Sequence, residues 1–148
     1  MALFFVLPVP HTTISDAVLE TSAESAVRPH GQGFVSEILA QNGEYVVKNA
    51  AILKLSEPLL DVEYAVAAAE AEDARLRLEM IPIDDANARS LWAEQLDFYR
   101  ARLEELDRRG DELWVRAPST GILALPEQKS LSGRLLRQGE VIGHIQRP

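Results

Sequence analysis

The chain has 148 residues, enough for one medium domain or two small ones, and 47% are apolar, enough for a core, although aromatics supply only 6%. Its net charge of -8, with fifteen basic residues scattered among acids, argues against nucleic acid, which calls for clustered Lys and Arg. Cysteine is absent, so disulfides, thiol catalysis and cysteine zinc sites are excluded.

In residues 1–12, Leu3 to Leu7 with Val9 are strongly apolar, but Pro8 and Pro10 interrupt the run and it is much too short to cross a bilayer alone. The segment lacks the basic head and small-residue cleavage site of a signal peptide. Two readings stand: a buried leader strand, or the end of a membrane anchor. Phe4, Phe5 and the proline pair favour the second, since they look like a helix leaving a membrane. In residues 13–25, Ile14, Ala17, Val18 and Leu19 alternate loosely, as a strand would.

Residues 26–56 read as short strands punctuated by turns. Gly31 and Gly33 bracket one turn, and Phe34 to Leu39 follow as a strand. Asn42-Gly43 is the strongest hairpin signal, because both residues tolerate positive φ. Tyr45 to Val47 and Ala51 to Leu55 complete the set.

At Ser56-Glu57-Pro58 the period changes. A capping residue followed by proline in the first turn starts a helix. Leu60, Tyr64, Ala67, Ala71, Ala74, Leu78 and Ile81 then recur at spacings of 4 and 3, an unbroken apolar seam. Pro82 ends this helix. Asp84 and Asp85 suit the start of a second, whose seam is Trp92, Leu96, Tyr99, Leu103 and Leu106. Arg108 and Arg109 favour its C-terminus, with Gly110 closing it in a left-handed conformation. Residues 57–110 therefore predict an antiparallel coiled-coil hairpin with arms roughly 35 Å long. Its outer faces carry charges such as Glu63, Arg75, Arg100 and Glu104, and its exposed turn carries apolar Ile81, Pro82 and Ile83, the candidate contact site.

The β period returns in residues 111–148, and with it the earlier pattern. Val27-Arg28, Gly33-Phe34-Val35, Gly43, Val46 and Ile52 reappear as Val115-Arg116, Gly121-Ile122-Leu123, Gly133, Leu136 and Ile142. The offset is 88 residues up to Gly33 and Gly121, and 90 from Gly43 and Gly133 onward, which places a two-residue insertion in a loop. Pro126 to Ser132 reads as the longest loop. This is an internal repeat, and half a module must pair with its twin to bury a core. Gly33, Asn42, Gly43, Gly121, Gly133 and Gly139 are the expected structural turns.

In this order, Gly33-Phe34-Val35, Asn42-Gly43-Glu44-Tyr45-Val46, Val115-Arg116-Ala117-Pro118 with Gly121, and Leu136-Arg137-Gln138-Gly139-Glu140 resemble the two half-motifs of the biotinyl/lipoyl domain. Split by a helical hairpin, they are similar to HlyD-like membrane fusion proteins, the periplasmic adaptors of exporters. That resemblance covers residues 26–145 and implies a β-sandwich of barrel-sandwich hybrid type with the hairpin inserted. It implies a non-catalytic module on the periplasmic or extracytoplasmic face, anchored to the inner membrane through its N-terminus. Implied partners are a membrane transporter or membrane protease, with an outer-membrane protein, an exported peptide or a second copy as further candidates, and no cofactor. A narrower likeness runs through Leu7-Pro8-Val9-Pro10 and Leu131 to Glu140 to the adaptor-like region of site-2-protease-like peptide zinc metallopeptidases. On that alternative the chain is an accessory domain and the metal site lies elsewhere. The adaptor pattern would add a β-barrel and a membrane-proximal part after Pro148, so either the chain is a fragment or that remainder was lost.

A carrier domain presents its lysine at the tip of the hairpin joining its halves, usually beside Met or Ala. Here the coiled coil occupies that place, so Lys48, Lys54 and Lys129 read as solvated surface residues. His11, His30 and His144 are dispersed and none belongs to an HExxH helix, while Ser119-Thr120-Gly121 reads as turn chemistry without a base. Coexpression with biotin and lipoate ligases is therefore expected to leave the intact mass unchanged; an added biotinyl or lipoyl group on any of the three lysines contradicts this.

Overall fold

A computed structural model of the chain describes residues 25–147. The expected leader or anchor of residues 1–12, and all but the last residue of the strand at 13–25, lie outside the described residues. Strands β1 (Ala26–Val27), β2 (Gly33–Ile38), β3 (Tyr45–Val46) and β4 (Ala51–Ser56) precede helices α1 (Pro58–Met80) and α2 (Ala86–Glu112). Then come β5 (Trp114–Arg116), β6 (Gly121–Ala124), α3 (Gln128–Leu131), β7 (Leu135–Leu136) and β8 (Gly143–Gln146).

The strands form two antiparallel four-stranded sheets, ordered β1-β8-β6-β3 and β5-β4-β2-β7, so each sheet takes two strands from each repeat. The pairings are exchanged by the repeat offset. Gly33 and Phe34 face Leu136 and Leu135, while Gly121 and Ile122 face Val46 and Tyr45. Loops obey the same rule: Gly43 donates its N–H to Leu123 and Gly133 to Val35, while Asn49 donates to Ala117 and Gly139 to Pro29. Each half thus satisfies the turns of the other. Between the sheets lies one apolar core, with Val27, Val35, Leu53 and Leu55 from the first half and Val115, Leu123, Leu136 and Ile145 from the second. Among the described residues no polar or charged side chain is buried.

The expected turn residues divide into two kinds. Gly43, Gly133 and Gly139 have φ of 87°, 74° and 79°, and Asn49 joins them at 69°, the left-handed region that Gly and Asn tolerate. Gly33 and Gly121, in contrast, open strands rather than turns. A Cβ on Gly33 would lie 2.9 Å from the Ser56 carbonyl oxygen, and one on Gly121 would overlap that of Gln146. Close approach of backbones, not a special φ, requires glycine there. The two-residue insertion forms α3 within the expected loop. It is docked by buried Leu131 and by Asn42, whose side chain accepts from Leu125 N (2.7 Å) while its backbone N–H reaches Gln128 Oε1 (2.8 Å).

Helix α1 starts at Pro58, where a missing N–H costs nothing. Ser56, expected near the cap, instead ends β4 opposite Phe34, and Glu57 holds the cap position without a side-chain hydrogen bond. Pro82 pushes Ile81 to an extended conformation (φ -77°, ψ 130°), which ends the helix. Asp85 caps α2, its side chain accepting from Ala88 N at 3.1 Å. Gly110 does not close α2. The helix runs through it to Glu112 because Leu113 donates its N–H to the Gly110 carbonyl and packs on both the sandwich core and the helical seam.

These contrasts predict opposite effects of the same substitution. Gly121→Ala should destabilise by about 2–3 kcal/mol, since backbone must move to admit the methyl group. Gly110→Ala has open space around it and should stabilise the helix by about 0.5–1 kcal/mol. Urea unfolding of the two variants measures both, and a neutral Gly121→Ala contradicts the close-approach argument.

Candidate functional site

The two helices meet along the expected seam in two clusters. Near the sandwich, Leu60 and Ala67 pack on Leu106, with Leu103 and Leu113 beside them. Toward the tip, Ala71, Ala74 and Leu96 are buried, with Leu78, Trp92, Tyr99 and Leu103 around them. Small alanines on α1 let the larger Trp92 and Tyr99 approach. Tyr64 departs from the expectation: it is 41% exposed and belongs to neither cluster, because Leu60, Ala67 and Leu106 close the seam at that level without it.

At the root of the hairpin, Arg109 bridges Glu57 (2.9 Å) and Glu63 (3.1 Å), and Arg102 also reaches Glu63 (3.1 Å). These side chains on Arg109, Glu57 and Glu63 are only about 30% exposed. The cluster links α1 to α2 across the sequence and fixes where the arms separate. Elsewhere in the hairpin the pairs lie within one helix, and their arginines are more exposed. Hydrogen bonds from Arg75 to Glu72, and from Arg108 to Glu105, hold those carboxyls below their usual range. Such pairs are screened by salt and contribute little to stability.

The tip divides unevenly. Ile83 is 91% exposed and Pro82 is exposed, whereas Ile81 is half-buried, its carbonyl accepting from Arg89 Nη1 at 3.1 Å. Met80, 81% exposed, is a second apolar side chain at this end, which the turn signal at Ile81 to Ile83 did not include. The flanks carry apolar side chains beside the expected charges. Leu59, Val62, Val66 and Leu76 on α1, and Leu91 and Phe98 on α2, are exposed. The signal was present: Leu59, Val62, Val66, Ala69, Asp73, Leu76 and Met80 form a second stripe spaced 3 and 4, interrupted only by Asp73.

The other candidates stay apart. Lys48, Lys54 and Lys129 are exposed, and Lys54 lies over the Trp114 ring at 5.0 Å. His30 is exposed and His144 sits in β8, while His11 lies outside the described residues. Among the described residues no three His, Asp or Glu side chains converge as metal ligands would, and no helix is long and apolar enough to cross a membrane.

Among protein-family models and curated sequences nothing matches the chain. Solved structures do. A MacA–MexA chimera carrying the α-hairpin domain of Pseudomonas aeruginosa MexA superimposes with a TM-score of 0.67 at 12% identity, over 82% of this chain and 46% of that one. The membrane fusion protein Spr0693 of Streptococcus pneumoniae R6 gives 0.60 at 17% identity, over 83% of this chain and 64% of that one. The periplasmic adaptor protein EmrA gives 0.61 at 11% identity, over 82% and 71%. This chain therefore spans about half to two thirds of their lengths. At such identities the likeness establishes the fold: a β-domain with an α-hairpin, as in these adaptors. None of the three is a peptidase, so the metallopeptidase likeness finds no support in them.

Two substitutions separate the seam from the root. Leu96→Ala, at a buried seam position, should cost about 2–4 kcal/mol. Arg109→Ala should cost about 1 kcal/mol, because its pairs are only partly shielded from water. Thermal melts of the hairpin's helical signal check both, and equal losses would show that the root holds the arms together as strongly as the seam does.

Proposed function

We propose that the chain is the split lipoyl-like and hairpin portion of an extracytoplasmic adaptor of a membrane export system. In this reading residues 26–56 and 111–148 are the two lipoyl-like halves and residues 57–110 are the arm. One observation carries it. The hairpin enters and leaves through adjacent strands β4 and β5 of a closed sandwich, and its far end exposes Met80 and Ile83, residues that a free soluble turn would not favour. A rigid platform, a long arm and an apolar tip together make a device for holding two other proteins at a fixed separation. The matched adaptors and membrane fusion protein support this reading through their shared fold.

The work is geometric. The partner at the sandwich end is a membrane transporter; the tip meets an outer-membrane protein or the exported cargo. Residues preceding the first half supply the inner-membrane anchor, and the protein oligomerises around its transporter.

The tip tests the proposal. A Met80→Ser, Ile83→Ser double variant should melt within about 1 °C of the parent, since exposed turn residues contribute little to the seam. It should nonetheless lose most of its cross-linking to envelope proteins in cells. Undiminished cross-linking through the altered tip contradicts the tip as the contact and moves the search to the apolar flanks.

A further inference from the structure

The symmetry that exchanges the two halves also organises a cleft of ≈ 680 Å³ beside the C-terminal end of α2. Five pairs of its lining residues are exchanged by the repeat, among them Arg28 with Arg116, Pro29 with Ala117, and Asn49 with Gly139. The pseudo-twofold relation therefore holds across the cleft itself. Each arginine is anchored by the opposite half: Arg28 Nη1 donates to the Gly139 carbonyl at 2.9 Å, and Arg116 Nη1 donates to that of Asn49 at 3.2 Å. Both carbonyls belong to residues in the left-handed region, Gly139 and Asn49. A guanidinium has five N–H donors, so each anchor leaves the fork positioned with most of its donors unspent.

What the two forks lack is a carboxylate. Among the described residues neither has one within ion-pair distance, whereas seven other arginines (Arg75, Arg77, Arg100, Arg102, Arg108, Arg109 and Arg134) do. In a chain with 23 acidic and 15 basic residues, two arginines on one cleft with no ion-pair partner among the described residues run against the overall balance. Arg108 also lines the cleft but is held by Glu105 and Glu112. Asp111, without an ion-pair partner among the described residues, contributes one carboxylate to the lining. On one wall stands the Trp114 ring, with the Arg116 guanidinium 6.0 Å from its centroid.

We propose that this cleft binds a compact oxyanion carrying at least two negative charges, phosphoryl or carboxylate in chemistry, between Arg28 and Arg116. Guanidinium forks match such groups bidentately. Two cations opposed by one Asp111 carboxylate favour a dianion over a monoanion, and two arginines are too few to follow a nucleic-acid backbone. The volume falls in the range of small-molecule sites, which leaves room for an organic body against Trp114.

Pyrophosphate and citrate, titrated separately into the full chain by calorimetry at constant ionic strength, test this. One-to-one saturable binding is expected, weakened at least tenfold by Arg28→Gln or Arg116→Gln and unchanged by Arg100→Gln on the distant α2 surface. Because the two glutamine variants also remove an anchor, Asp111→Asn provides the independent arm. Among the described residues it disturbs no hydrogen bond or ion pair, and it should tighten binding about two- to fivefold by removing a like charge. Binding of pyrophosphate alone assigns a phosphoryl ligand, and binding of citrate, alone or with pyrophosphate, a carboxylate one. No saturable binding of either anion, or Asp111→Asn binding no tighter than the parent, overturns the proposal.

Discussion

Everything in this molecule depends on an exchange of backbone hydrogen bonds between two imperfect copies of one motif. Gly43 reaches Leu123 and Gly133 reaches Val35; Asn49 reaches Ala117 and Gly139 reaches Pro29. A half on its own would leave these groups to water and the apolar face of its strands bare, with no core to bury. The sheets repeat the arrangement, since each draws two strands from each copy. Folding is therefore a matter of both halves or neither, even though the whole helical hairpin of residues 57–110 stands between them. The short edge strands, two or three residues each, also leave little open ladder for another chain to join.

The hairpin obeys a separate logic. Its seam is made of small residues against large ones and needs nothing from the sandwich except at Leu113, which touches both cores. Helix α1 is scarcely amphipathic because it has two apolar stripes, and only one of them faces α2. Exposed Val66, Leu91 and Phe98 make its flank unlike that of an arm designed to stand alone in water. The ion-paired root, with Arg109 between Glu57 and Glu63, keeps the arms from splaying where the charged and apolar surfaces meet.

Local chemistry was the legible part of the sequence. Asn42-Gly43, Pro58 at the start of α1 and Pro82 at its end announce themselves because each constrains its own φ and ψ. The seam is readable because its period is written in residue types. Tertiary decisions were not legible. Gly110 reads as a stop signal, yet packing of Leu113 carries the helix past it. Gly33 and Gly121 read as turns, yet what they provide is room for a neighbouring strand's carbonyl. Tyr64 carries the right spacing and still lies outside the clusters, since period says which side a residue occupies and not how deep it sits. Arg28 and Arg116 were visible as repeated letters, but nothing in the letters says that each would reach into the other half.

The continuity of α2 into β5 makes the hairpin a lever. Its 27 residues extend about 40 Å, and its last turn is fastened to the sandwich by the Gly31 to Glu112 backbone bond and by Leu113. A tilt of about ten degrees at that root carries the tip through roughly 7 Å, from a shift of little more than a bond length among the residues that border the arginine cleft. Small displacements at the platform are thereby delivered, magnified, to the apolar end of the arm.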